Sequence, residues 1–480
     1  MYRYERVVEQ IKLAIAGGQL VSGTKIPSLR EYAVTHGISV NTVKTAYRLL
    51  EDQGVIIASP KSGYFVAPSS PAPADMTTSK TQDNMLPLSG INRLLDDLVQ
   101  AQQEKNYIDL AIACPVGEQF YPTRRLRKVL ARVLRSRHHS QDRYALPPGS
   151  ARLRTQIARR GVNLGMLLSP KDIIITHGAM EGLSIAVRAC TLPGDCIALE
   201  TPTFYNVYPM LEELGRKIIS IPTHPRNGMC LDSLAKALSE KNIKAVITVP
   251  SGQNPLGFTM PVENRKRLAE MASEKKIAVI EDAIYAELQY GDSFKPNIKS
   301  FDTDGWVITC SSYTKTLSPD FRIGWLEGGR FKVKARQIKF TSTVAEPELL
   351  CETLGVFLEN GSYDLHLRHL RRIYSAQTDA VTKAIFRYFP EHTQVSRPEC
   401  GFILWVTLPV EIDTLKLFHT ALDAGIICMP GLLCSGNYAF NNCLRIAVCF
   451  DLSEKYLWAL KRLGELAHEQ ILLTSNKETN

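Results

Sequence analysis

The run Trp306-Val307-Ile308-Thr309-Cys310-Ser311-Ser312-Tyr313-Thr314-Lys315 begins as a short apolar strand and ends in hydroxyl side chains and a lysine. Seven residues further on, Arg322 stands in Phe321-Arg322-Ile323-Gly324-Trp325. Working outward, the same order of apolar run and polar turn recurs upstream. Ile173-Ile174-Ile175 leads into Thr176-His177-Gly178-Ala179-Met180, and Ile197-Ala198-Leu199 into Glu200-Thr201-Pro202-Thr203-Phe204-Tyr205. Ala245-Val246-Ile247-Thr248-Val249 leads into Pro250-Ser251-Gly252-Gln253-Asn254, and Ile277-Ala278-Val279-Ile280 into Glu281-Asp282-Ala283-Ile284-Tyr285. Helical patterns lie between most of these runs, which is the signature of a mostly parallel α/β sheet covered on both faces. Ligands in such sheets sit at the carboxyl ends of the strands, so the residues after each strand are the candidate site.

Taken singly, each of these residues has an ordinary structural reading. A glycine turn ends a strand, Asp282 caps a helix, Asn254 before a proline makes a turn, and a lysine in a loop is a solvated charge. Together they meet every need of pyridoxal 5'-phosphate. That cofactor requires a lysine amine for a Schiff base, an acid at the ring nitrogen, donors for a phenolate oxygen, an aromatic surface, and a cup of N–H, hydroxyl and guanidinium groups for phosphate.

The first 66 residues have a different pattern. Val7, Val8, Ile11, Ala14 and Ile15 recur at helical spacing before Gly17-Gly18. Ser28 is placed to cap a second helix that Gly37 stops, and Ser39 or Asn41 a third that carries Val43, Ala46, Tyr47 and Leu50 inward before Gly54. Val55-Ile56-Ile57 and Tyr64-Phe65-Val66 read as strands joined through Pro60-Lys61-Ser62-Gly63. This order is that of a winged helix-turn-helix, although three helices and a hairpin also occur in protein-protein modules. Asn41, Thr42, Lys44 and Thr45 supply short polar and basic groups of the kind that a major groove accepts. Residues 1–70 hold eight basic and five acidic side chains, so the electrostatic footprint of this module is modest.

The stretches Gly23-Thr24-Lys25-Ile26-Pro27-Ser28-Leu29-Arg30-Glu31, Asn41 to Leu50 and Ser62-Gly63-Tyr64-Phe65-Val66 closely resemble the GntR-type winged helix. The resemblance implies that Arg30 contacts phosphate or a guanine edge, that Asn41 and Lys44 lie in the groove, and that Gly63 approaches the minor groove. Val40 stands where some relatives carry a basic residue. From Leu88 to Leu466 the chain is similar to fold-type I pyridoxal phosphate enzymes of the class I aminotransferase family. On that resemblance Lys315 is the Schiff-base lysine, Asp282 pairs with the ring nitrogen, Tyr285 and Asn254 contact the phenolate oxygen, and Phe204 stacks on the ring. Ser312, Arg322 and Gly178-Ala179-Met180 hold the phosphate, Tyr144 reaches the phosphate of a second subunit in a homodimer, and Arg445 binds a substrate or effector carboxylate. His177, Asp320 and Ala113-Cys114-Pro115 depart from the expected residues. The combination resembles the MocR subfamily of bacterial transcription regulators. It implies a double-stranded DNA operator as partner and pyridoxal phosphate, or its adduct with a small amino compound, as effector; a working aminotransferase is the alternative.

The domain organisation expected is a winged helix-turn-helix over residues 1–67, a linker over 68–88, an α/β aminotransferase-like domain with a smaller C-terminal α+β subdomain over 89–470, and a disordered tail over 471–480. The linker rests on Pro-Ser-Ser-Pro-Ala-Pro-Ala-Asp and the polar run that follows it, with almost nothing to pack. Length sets the frame, because 480 residues exceed what one core serves. A composition of 45% hydrophobic and 22% charged residues excludes a disordered, collagen-like or membrane chain. The formal charge of +9 favours polyanions only weakly. No signal peptide or membrane-spanning run is evident, and eleven cysteines without Cys-x-x-Cys spacing fit reduced thiols in a cytoplasmic protein and argue against a zinc finger.

Overall fold

Helix α1, Arg3–Ala16, turns Val7, Val8 and Ile11 inward and opens the smaller of two units, Met1–Thr77 and Thr78–Asn480. The computed structural model describes residues 3–17, 19–21, 23–52, 55–59, 63–66, 89–104, 106–136, 144–291, 294–436 and 439–478. Gly18, Gly54, the wing residues Pro60, Lys61 and Ser62, and the linker expected over 68–88 lie outside these residues.

Helix α2, Leu29–His36, starts with a reciprocal capping box. Ser28 Oγ accepts from Glu31 N at 3.3 Å while the Glu31 carboxylate accepts from Ser28 N at 2.8 Å, and Gly37 closes the helix at φ 62°. Helix α3, Val40–Asp52, is capped by Ser39, whose Oγ accepts from Thr42 N at 3.1 Å, so of the two candidate caps the serine serves. Strands β1, Ile56–Ser59, and β2, Gly63–Val66, pair antiparallel with Ile56 opposite Val66. Val43, Ala46, Tyr47 and Leu50 are fully buried, and the Tyr47 hydroxyl donates to Pro27 O at 2.9 Å, pinning the turn before α2 to α3.

The larger unit opens with α4, Ser89–Gln103, β3, Ile108–Asp109, α5, Thr123–Arg135, and α6, Ala151–Gly161. Its main sheet holds β4, Ile173–His177, β5, Cys196–Thr201, β6, Lys217–His224, β7, Gly228–Met229, β8, Ile243–Thr248, β9, Ala278–Asp282, β10, Val307–Ser312, and β11, Ile323–Glu327. The strand order is β4-β11-β10-β9-β8-β5-β6-β7. Neighbours from β10 through β6 are parallel, whereas β11 runs antiparallel to both β10 and β4. Alternate residues serve two cores. Ile174, Ile197, Leu199, Ile247, Ile280 and Ile308 face one layer, and Ile173, Ile175, Ala198, Val246, Val279 and Val307 the other. This two-sided burial is why the strands read as unbroken apolar runs.

A second sheet, antiparallel and four-stranded, joins Gln394–Val395, Ile403–Thr407, Cys443–Ala447 and Met429–Pro430. The helices Ser362–Tyr388 and Glu454–Glu478 pack on each other beside it. The last helix corrects the expected disordered tail over 471–480, because residues 471–478 are helical. Leu460, Leu463, Ala467 and Ile471 form one apolar face, so the helical spacing carries packing past residue 470. Among the described residues no helix is long and apolar enough to cross a membrane.

Candidate functional site

The topology gathers the candidate residues at one edge. β5, β8, β9 and β10 run the same way, and β4 shares their direction because it is antiparallel to β11. Asp282, Ser312 and the turns after Thr248, Thr201 and His177 therefore emerge together at the carboxyl ends. Arg322 immediately precedes the reversed β11 and so enters at the same edge.

Lys315 is held in the loop between β10 and β11, where its Nζ donates to Ala113 O at 2.6 Å. Burial pushes its ammonium below the usual lysine range, and the nearby Arg445 and Arg322 guanidinium groups act in the same direction against the thiols of Cys114 and Cys449. Asp282 is 7% exposed at the end of β9, and its Oδ1 accepts from Ile284 N at 3.1 Å. Burial raises this carboxyl to about 6, against the opposing pull of the Ile284 N–H and Lys315.

At the β4 side, α7, Gly178–Cys190, begins directly after the strand, leaving the first-turn amides of Ala179 and Met180 without intrahelical acceptors. Gly178 has φ 75°, and a Cβ there would stand 3.1 Å from the Arg322 guanidinium. Gly324 packs so closely on the Gly178 backbone that any side chain would collide with it. Arg322 itself has φ 52°, a conformation that costs a non-glycine residue energy and fixes the direction of its side chain. Ser312 Oγ and Thr314 Oγ1 are buried without hydrogen-bond partners.

The opposite side is built around Arg445, 2% exposed, in the strand Cys443–Ala447. Its NH1 donates to Asn254 Oδ1 at 3.1 Å, its NH2 donates to Ala111 O, its Nε has no partner, and its guanidinium lies 5.8 Å from the centre of the Tyr205 ring. Tyr285 is buried, packs edge-on against Phe402, and has a hydroxyl that burial raises far above the usual range. Phe204 is half-buried and contacts Tyr205 edge-on. Tyr144 is 78% exposed in the single chain.

The departures from the expected pattern have specific surroundings. His177 Nδ1 lies 3.1 Å from Glu346 Oε2, Asp320 is exposed, and Ala113 offers the carbonyl that holds Lys315. Sequence reading did not single out Glu200 as a site residue. It is fully buried at the end of β5 and accepts from Thr248 Oγ1 at 2.6 Å, Val249 N at 3.1 Å and Gln253 Nε2 at 3.3 Å, tying the Asn254 turn to the neighbouring strand. A glutamate directly after an apolar strand was the available signal. In the smaller unit Arg30, Asn41 and Lys44 are exposed, Thr42 is half-buried with its hydroxyl 2.8 Å from that of Ser39, and Gly63 has φ 107° beside the Lys25 side chain.

Residues 105–459 match the family of aminotransferases of class I and II, and residues 3–66 match the bacterial regulatory proteins of the gntR family. Over 98% of the chain, the sequence is 34% identical to the whole of an uncharacterized HTH-type transcriptional regulator, YdcR, of Escherichia coli. The larger unit superposes on the multiple substrate aminotransferase of Thermococcus profundus with a TM-score of 0.73 and 29% identity, covering 78% of this chain and 95% of that one. The kynurenine aminotransferase of Pyrococcus horikoshii, solved with PMP, gives a TM-score of 0.73 at 28% identity, covering 78% and 94%. Pyridoxal 5'-phosphate fits the donor set at this edge. The unpartnered Ser312 and Thr314 hydroxyls, the free amides of α7 and the Arg322 guanidinium suit its phosphate, and a buried carboxyl and lysine stand beyond them. The chain belongs to the class I and II aminotransferase family and carries the DNA-binding domain of the gntR family, the two-part composition of the MocR subfamily of transcription regulators.

Proposed function

We propose that the chain is a cytoplasmic DNA-binding transcription regulator whose larger unit takes pyridoxal 5'-phosphate, or its adduct with a small amino compound, as effector. The observation that carries this reading is the presence in one chain of a GntR-type winged helix and the Lys315, Asp282 and Arg445 constellation. When bound, the cofactor supplies an aldehyde and an electron-withdrawing ring. Lys315 Nζ, held as a readily deprotonated amine, is the group that attaches it. Asp282 keeps a proton on the ring nitrogen, Asn254 and Tyr285 face the phenolate oxygen, and Phe204 covers the ring. Ser312, Arg322 and the Gly178-Ala179-Met180 turn take the phosphate, with Tyr144 contributing to the partner's site in a homodimer. Arg445, supported by Asn254, receives the carboxylate of an amino compound. Arg30, Asn41, Thr42, Lys44 and Gly63 meet the operator. Regulation requires that the effector bind one arrangement of the dimer more tightly than another, since equal binding shifts nothing.

Absorption spectra with added pyridoxal phosphate, before and after a panel of amino acids, test the effector reading. A visible band that shifts but persists, with no keto acid released, supports a sensor. Bleaching with keto acid release favours the second reading, an aminotransferase, for which the specific observation is the completeness of the constellation from Lys315 to Arg445. Arg30→Ala is expected to weaken DNA binding at least several-fold while leaving the visible band unchanged; unaltered affinity in a mobility-shift titration removes Arg30 from the interface.

A further inference from the structure

The chain's net charge of +9 is concentrated in one place. Residues 123–160 hold twelve arginines and lysines and one acidic residue, more than the whole excess of the protein. Part of this charge is used internally. Arg160 pairs with Glu287 at 2.6 Å and Asp364 at 2.9 Å, Arg152 lies 3.5 Å from Glu352, and Arg154 donates to the carbonyls of Gly149 and Pro170.

Helix α5 differs. Its buried face is Leu126, Val129 and Val133, and its outer face is Arg124, Arg125, Arg127, Lys128, Arg132 and Arg135, all exposed. Among the described residues, none of these six forms an ion pair with a carboxylate. The arrangement opposes helix stability. Arg124 and Arg125 sit in the first turn, where the helix dipole favours acids, and Arg124 with Lys128 and Lys128 with Arg132 are like charges one turn apart. A face that costs the helix stability and finds no internal partner is matched to an external anion. The groove beside it is lined by α5 with Glu118 and with His366 and His369 of the helix Ser362–Tyr388; burial keeps His366 neutral, and the exposed Arg368 and Arg372 of the same helix add to the cations of this side.

We infer that the outer face of α5 is a second DNA-contacting surface, one that binds the phosphate backbone of duplex DNA without reading bases. The inference rests on the regulator reading and names a further part of its contact with DNA. The winged helix, with its modest excess of charge, supplies selectivity; α5 supplies sequence-independent electrostatic affinity.

The test uses the full chain and a fluorescein-labelled duplex of arbitrary sequence titrated at several salt concentrations. The combined variant Arg124→Gln, Arg127→Gln, Lys128→Gln and Arg132→Gln relieves repulsion within the helix, so its melting temperature is expected to equal or exceed that of the parent, which controls for folding. Its affinity should fall about tenfold or more, and its plot of log K against log salt should become shallower by about two to four, roughly 0.9 for each phosphate that is no longer neutralised. Unchanged affinity and slope overturn the inference. In that event loss of binding by Arg30→Ala still supports the regulator reading, whereas insensitivity of both variants removes both. Phosphatidylglycerol vesicles form the other arm: binding to them that depends on the four cations, with duplex binding unaffected, assigns α5 to a membrane surface and overturns the proposal.

Discussion

Two lysines of the larger unit are withdrawn from water, and their surroundings differ in one respect that separates scaffold from chemistry. Lys339, 1% exposed, donates to Glu181 Oε2 at 2.8 Å and also to Glu346. Lys315 has a carbonyl, Ala113 O, as its hydrogen-bond partner, with no carboxylate among the described residues paired to it and with Arg445, Arg322 and Asp282 among its charged neighbours. Burial pulls the Glu181 carboxyl upward, but Lys339 and the His177 N–H outweigh it and bring it below the usual range. Burial prevails at Glu346, which rises to about 7. Around Lys339 charge answers charge and the group is part of the fold. Around Lys315 burial and the two arginines outweigh the Asp282 carboxyl and the nearby thiols, so the neutral amine is favoured.

Substitution is the strongest way to break this comparison. Lys315→Ala is expected to abolish covalent attachment of pyridoxal phosphate, read as complete loss of a borohydride-fixed adduct, while the protein melts at an unchanged or higher temperature, because a desolvated amine has been removed. Lys339→Met should do the reverse. It leaves Glu181 and Glu346 buried without their cation, so a loss of about 3–5 kcal/mol of stability is expected in denaturant titration, with adduct formation retained at permissive temperature. If the two variants behave alike, the distinction between them is wrong.

A smaller effect sharpens the contrast through pH. Asp282 titrates near 6 instead of near its ordinary 3.8, so its carboxylate is present above about pH 6 and lost as pH falls through that value. The carboxylate's contribution to cofactor affinity should accordingly be lost as pH falls through about 6, approaching a tenfold decline per pH unit below it. Depression of the Lys315 ammonium acts in the same sense, since acid reprotonates the amine. Asp282→Asn should lower affinity at neutral pH and flatten the acid limb that belongs to the carboxylate; a limb that persists unchanged must be assigned elsewhere.

The same contrast explains what could be read from the sequence. Lys315, Asp282 and Asn254 stand directly after runs that could only be buried strands, so their meeting at one edge follows from topology. Ser28, Glu31 and Gly37 were legible because a capping box and a left-handed stop are local chemistry. The strand β11 was not named as one, since Gly324 weakens the strand pattern and its reason is a backbone contact with Gly178, well over a hundred residues earlier in the chain. Lys339 with Glu181 and Glu346 was invisible for a related cause. Its members lie on separate elements, and nothing in the helix Lys332–Thr343 marks one lysine among several as buried. The last helix was underestimated because Ile471 packs through helical spacing while its neighbours Leu472 and Leu473 face solvent.

Glu346 occupies a mechanical junction. Its backbone bridges to Ala145, beside Tyr144, while its carboxylate reaches both Lys339 and His177, the residue from which α7 starts. One residue thus links the exposed tyrosine segment to the start of α7. Because His177 is also the last residue of β4, where it pairs with Ile323 of β11, its imidazole couples the edge of the main sheet to the strand-like contact at Ala145, and a change in its protonation alters the polar contact that Glu346 makes with β4.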